Sequence, residues 1–191
     1  MWVFLALRLF SLSDNFQDYT LFTKKYHSAI VLIATTEGHS IFCAFNKREE
    51  KAFIPLVNFL VLSCKPPRFI RRLKKANQSE KSKLARVFWF ISQFKNTPDS
   101  RDFWQYPMET LSRKAGDCED KAFLLFALCD YLGIDIKVTL GYSNIRGQKE
   151  PHAWITHAGG IYDATFSNIK LNLRYKYTPL VSWNKIAWWL H

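Results

Sequence analysis

A chain of 191 residues and 22.4 kDa suits one domain, or one domain with an extension, and can bury a sizeable core without disulfide staples. Hydrophobic residues make up 48% and charged residues 23%, with only 7 Gly and 7 Pro, which excludes disordered, collagen-like and low-complexity chains. The net charge of +11 is uneven: 15 Lys/Arg stand against 6 Asp/Glu over residues 1–86, 8 against 10 over 87–165, and 4 against none over 166–191.

Residues 1–64 hold apolar stretches separated by turn-forming groups and read as an N-terminal region of strands or short helices, of unknown role. The opening Met1-Trp-Val-Phe-Leu-Ala-Leu run has neither a basic head nor a small-residue cleavage site, so no export signal is expected and a cytoplasmic location is the default. The longest apolar run, residues 52–64, is interrupted by Pro55 and Asn58 and falls short of the roughly 20 residues that cross a bilayer. Residues 65–86 carry nine basic side chains against one acid, behind a break at Pro66-Pro67, and are predicted to form a basic linker or helix.

Residues 87–177 read as the folded core of the chain. Leu84, Val87, Phe88, Ile91 and Phe94 have amphipathic helical spacing, with Ser79 or Ser82 as cap. Residues 99–115, including Trp104, Tyr106 and Pro107, are expected to be irregular. A better-marked helix starts at Asp117, with Asp120 three residues on, runs through Ala122, Leu125, Phe126, Cys129 and Leu132, and ends at Gly133. The period then changes to two over 136–140, 152–156 and 161–165, with 141–151 read as a polar loop, so a buried helix precedes an antiparallel sheet. Residues 178–191 are taken as an aromatic tail.

The four cysteines, Cys43, Cys64, Cys118 and Cys129, lack the close pairing of a structural zinc site. Cys129 lies on an apolar helix face and reads as inert core, as do Cys43 and Cys64. Cys118 differs: it occupies the first helical turn, where the dipole and unpaired N–H groups favour a thiolate, while Asp117, Glu119 and Asp120 act against that stabilisation. His152 and Asp163 supply a base and a carboxylate to orient it. If Thr156 pairs with Ile161, Asp163 is diagonal to His152 at about 7–8 Å between backbones. A two-residue Gly159-Gly160 turn would separate them by about 13 Å, so a wider loop is expected. His157, on the other strand face, reads as solvated, and Trp154 as core filling or as a shield over the His–Asp hydrogen bond.

Gly116-Asp-Cys-Glu-Asp120 opening a helix, followed by His152-Ala-Trp154 and Tyr162-Asp-Ala-Thr165, resembles the transglutaminase-like cysteine peptidase superfamily. Trp104 to Leu111, upstream, is similar to the bacterial transglutaminase-like cysteine proteinases. The resemblance implies an α+β, papain-like core in which a central helix carries the nucleophile and packs on an antiparallel sheet, here with an N-terminal extension. It implies Cys118 as nucleophile, His152 as general base and acid, and Asp163 as the residue that orients His152. Acyl transfer also needs oxyanion donors: the Cys118 N–H is one, and Trp104 or Gln105 is a candidate second. The chemistry requires no cofactor, but some relatives bind calcium beside the nucleophile, which makes Asp117, Glu119 and Asp120 candidate ligands.

The expected function is therefore a cysteine-dependent hydrolase or acyltransferase that cleaves or exchanges amide bonds of a peptide or protein through a thioester, with acidic substrates favoured by the basic segment. Two alternatives stand beside it. One is a non-catalytic transglutaminase-like binding module; the other is binding of nucleic acid or an anionic membrane surface through residues 65–86.

Overall fold

The computed structural model describes residues 29–36, 39–49, 52–55, 60–98, 104–145, 147–166, 175–184 and 188–190. The leading run and the side chain of Cys43 lie outside the described parts. The chain forms two compact units, residues 1–56 with 100–103, and residues 57–99 with 104–191. In the first unit, β1 (Ala29–Thr36), β2 (His39–Glu49) and β3 (Ala52–Pro55) form an antiparallel sheet in the order β1-β2-β3, with a register shift between Lys47 and Glu49.

The second unit begins with two helices, α1 (Arg68–Lys75) and α2 (Glu80–Ser92). The basic segment is thus helix, break and helix. Ser79 caps α2, its hydroxyl accepting from the Ser82 N–H at 3.3 Å. All five predicted core positions of α2 and its exit, Leu84, Val87, Phe88, Ile91 and Phe94, are buried. A two-residue strand, β4 (Lys95–Asn96), follows.

Residues predicted to be irregular contain a helix, α3 (Pro107–Arg113). Its signals are chemical rather than periodic: Pro107 occupies the first turn, where its missing N–H costs nothing, and Glu109 accepts from the Tyr106 N–H at 2.7 Å. Lys114 ends it with φ 51° and leads into β5 (Ala115–Gly116), which runs parallel to β4.

The central element is α4 (Cys118–Tyr131). Its bounds match the prediction, with Asp117 as N-cap and Gly133 beyond the C-terminus. Its burial does not: every residue from Glu119 to Cys129 is buried, so α4 is enclosed on all sides rather than amphipathic.

Five antiparallel strands cover it, in the order β10-β9-β6-β7-β8: β6 (Lys137–Ile145), β7 (Gln148–His157), β8 (Gly160–Tyr162), β9 (Lys176–Trp183) and β10 (Trp188–Leu190). Direct pairing puts Val138, Ile155, Tyr162 and Trp183 on one face with Leu140 and Ala153, all buried. Phe123 of α4 packs on Trp183 with ring centroids 6.3 Å apart, so this is the face turned to the helix. The stretch 141–151, read as a loop, is instead the far end of the β6–β7 hairpin. Residues 178–190, read as a tail, include strands of the same sheet.

One glycine holds the sheet centre. Gly141 pairs with His152, and a Cβ there would lie 2.2 Å from the Thr178 carbonyl oxygen and 2.9 Å from both Pro179 Cα and the Trp154 ring. Two of those three neighbours are backbone and cannot swing aside. Replacing Gly141 by Ala is expected to lower stability by about 1–3 kcal/mol, read as a reduced urea midpoint at unchanged m-value. An unchanged midpoint would contradict the packing at this crossing.

Candidate active site

The three residues singled out in the sequence arrive on separate elements. Cys118 opens α4, His152 lies in β7, and Asp163 follows β8. The hairpin decides whether the last two meet. Its register pairs Ile155 with Tyr162, Thr156 with Ile161 and His157 with Gly160, the alternative that favours contact. The expected wide loop is absent. A two-residue turn centred on Ala158 and Gly159, with φ 46° and 76°, gives the same register because it sits one residue earlier than a Gly159-Gly160 turn.

His152 Nε2 and Asp163 Oδ2 are 2.6 Å apart, and both side chains are buried. Asp163 has no exposed surface, and donors surround it: Tyr177 Oη donates to Oδ2 at 2.9 Å and the Thr165 N–H to Oδ1 at 3.0 Å. Burial pushes the carboxyl pKa upward, but the hydrogen bonds and the His152 charge outweigh it and hold Asp163 below the usual carboxylate range. Burial and the adjacent Asp163 charge push the Tyr177 phenol well up, which keeps its proton in place as a donor. Because Nε2 faces Asp163, Nδ1 is the nitrogen turned to other chemistry. Trp154 stacks beside the imidazole at 6.4 Å and 24° and is itself buried in the core.

The Cys118 sulfur lies against β7 at the backbone N–H of Ala153, the neighbour of His152, and that contact draws the thiol pKa down. Burial, the first and largest influence, then the charges of Glu119 and Asp117, push it well above the usual thiol range. The thiol donates to Glu119 Oε2 at 3.2 Å. The thiolate expected at the helix N-terminus is thus opposed first by burial and then by the acids beside it. Cys129 is buried, which pushes its thiol pKa up, whereas Cys64 is half-buried rather than core.

Asp117, Glu119 and Asp120 each bring a carboxylate oxygen within 4.8 Å of the others. Asp120 is also a hub: its Oδ1 accepts from the Gln105 N–H at 2.7 Å, and its Oδ2 from Gln105 Nε2 at 2.5 Å and the Asp117 N–H at 3.4 Å. Burial, then the Asp117 charge, pushes Asp120 up to about 8 against the pull of those donors. Gly116 makes room for it, since a Cβ there would lie 2.7 Å from the Asp120 Cβ. The donor set fits a hard cation such as Ca²⁺: it is all oxygen, it is over-supplied with negative charge, and the buried Gln105 Oε1, on the amide that already touches Asp120, has no partner among the described residues.

Of the candidate second oxyanion donors, Trp104 is fully buried and packs on Phe123 at 5.3 Å. Gln105 commits both its backbone N–H and its Nε2 to Asp120. His157 is half-buried and its Nδ1 meets the Asp135 carbonyl at 2.8 Å, away from the site.

Two participants escaped the sequence argument. Lys121 is 1% exposed and donates from Nζ to the Phe94 carbonyl at 3.0 Å. Burial draws its pKa down, opposed by attraction to Asp163, Asp117 and Cys118. A lysine heading an apolar helical run, four residues after Asp117, was the available signal. Tyr177 had none, because only strand pairing brings residue 177 near 163.

No curated protein matches the chain. A family described as CEP76 peptidase-like domain matches residues 102–188. Among solved structures, Legionella pneumophila LapG is similar with a TM-score of 0.52 and 24% identity, over 63% of this chain and 73% of that one. Calcium-bound LapG from the same organism is 25% identical, with the same TM-score and the same shares of the two chains. These likenesses support a transglutaminase-like, papain-like peptidase-type fold of mixed helix and antiparallel sheet.

Proposed function

We propose that the chain is a cysteine-dependent hydrolase or acyltransferase acting on amide bonds of a peptide or protein. The observation that carries this reading is the buried His152–Asp163 hydrogen bond on the strand whose next N–H, that of Ala153, meets the Cys118 sulfur. His152 Nδ1 takes the thiol proton as the sulfur attacks the carbonyl carbon, and the Cys118 N–H stabilises the oxyanion. The imidazolium then protonates the leaving amine, the C–N bond breaks, and a thioester remains. Water releases an acid; a primary amine gives a new amide. Asp163 holds the ring in orientation and stabilises its positive form without taking the proton.

Asp117, Glu119 and Asp120 would hold calcium, whose charge would offset the carboxylates that add to burial in raising the thiol pKa. The calcium-bound form of LapG supports that assignment. Among the described residues no helix is long and apolar enough to cross a membrane. A second reading, a non-catalytic binding module, draws on one specific observation: the thiol is hydrogen-bonded to Glu119 and its pKa is raised.

A proteome-derived peptide library, with mass spectrometry of cleaved products and of incorporated amine, separates the two. Wild-type protein is expected to process peptides, Cys118→Ala and His152→Ala to lose about 10³-fold or more at unchanged far-UV circular dichroism, and Asp163→Asn to lose about 10²–10⁴-fold. Absence of processing with calcium and with EGTA alike overturns the enzyme and leaves the module.

Iodoacetamide labelling checks the electrostatics. A cation, or removal of a negative charge, favours the thiolate, so calcium is expected to accelerate Cys118 labelling at pH 7 and EGTA to reverse it. Glu119→Gln in EGTA is expected to label faster than wild type. Equal rates in all three conditions would remove the acids from control of the thiol.

A further inference from the structure

The basic helices flank a cavity that the catalytic reading does not use. It measures about 540 Å³ and is lined by Phe69 of α1 and by Ser82, Ala85, Arg86, Trp89 and Phe90 of α2. Ser82, Ala85, Arg86 and Trp89 follow i, i+3, i+4, i+7 spacing, so α2 has two working faces. One carries Leu84, Val87, Phe88 and Ile91 into the core; the other leaves Trp89 63% exposed. Phe69 and Phe90 meet edge-on at 4.6 Å and form an aromatic floor. An indole and a guanidinium lining one concave surface have the composition of a binding hot spot.

Charge selects the occupant. Between residues 68 and 92 there are eight basic side chains and a single acid, Glu80. Arg86 lines the groove, and exposed Arg68 and Lys81 adjoin its lining in sequence. A lipid surface fits poorly, because the apolar residues of α1 that insertion would need, Ile70 and Leu73, are buried within the protein. We propose that this groove binds an acidic peptide segment bearing one large apolar side chain, the apolar group packed on Trp89 and Phe69 and the carboxylates paired with Arg86 and its basic neighbours. The docking surface is independent of Cys118 chemistry.

The test uses an array of fluorescent acidic peptides of about twelve residues, each with one Leu, Ile, Phe, Tyr or Trp at a varied position, together with lysine-for-acid counterparts and vesicles containing about 30% phosphatidylserine. Fluorescence anisotropy with the full chain is expected to show saturable binding by a subset of acidic peptides. That binding should weaken at least tenfold in Trp89→Ala and in Arg86→Glu, remain unchanged in Cys118→Ser, and be absent for the lysine counterparts. Trp89 and Arg86 are exposed, so both variants are expected to fold, and urea denaturation confirms it. No saturable acidic binder, or binding indifferent to Trp89→Ala, overturns the proposal. Vesicle binding lost in Trp89→Ala, without peptide binding, reassigns the surface to lipid.

Discussion

A carboxylate with no exposed surface survives in a protein interior only if donors replace the water it has lost, and Asp163 imposes that condition on its surroundings. Its donors come from three places: the His152 ring in β7, the Tyr177 hydroxyl in β9 and the Thr165 N–H just beyond β8. The β7–β8 register and the route of β9 along β6 are both needed to bring them together. The result fixes the imidazole with Nε2 turned to Asp163.

Negative charge is the second theme. Asp117, Glu119 and Asp120 crowd the start of α4, where the helix dipole welcomes anions, yet they share that small volume with a thiol whose reactivity depends on becoming an anion itself. Buried Lys121 ties α4 to the carbonyl of Phe94. The β4–β5 pair reinforces the same junction through hydrogen bonds from the Lys95 N–H to the Lys114 carbonyl and from the Thr97 N–H to the Gly116 carbonyl. α4 is thus anchored at its first turn.

Legibility from sequence followed burial. α4 was readable because capping chemistry and apolar content agree at both ends, and α2 because one of its faces is core. The outer half of the β6–β7 hairpin was not, because residues 147–150 are exposed and have no apolar face to impose alternation. β9 was hidden by Pro179, which sits where the β6–β9 register shifts between Leu140 and Gly141, a setting that tolerates a residue without an N–H. α3 is too short for periodicity. At the site, residue types and order were visible, whereas Tyr177 depends on strand pairing that no local pattern encodes, and Lys121 left only the trace of a lysine heading an apolar helical run.

The Ala158–Gly159 turn acts as a ruler. A single inserted amino acid would reverse the side of the ribbon on which the acid emerges, and two would slide it along the ribbon past the imidazole. The opposite tip of the ribbon, between Ile145 and Gln148, bears no such obligation. Length variation and engineered tags therefore belong at that distal end, and the proximal bend has to keep its count even where its composition drifts.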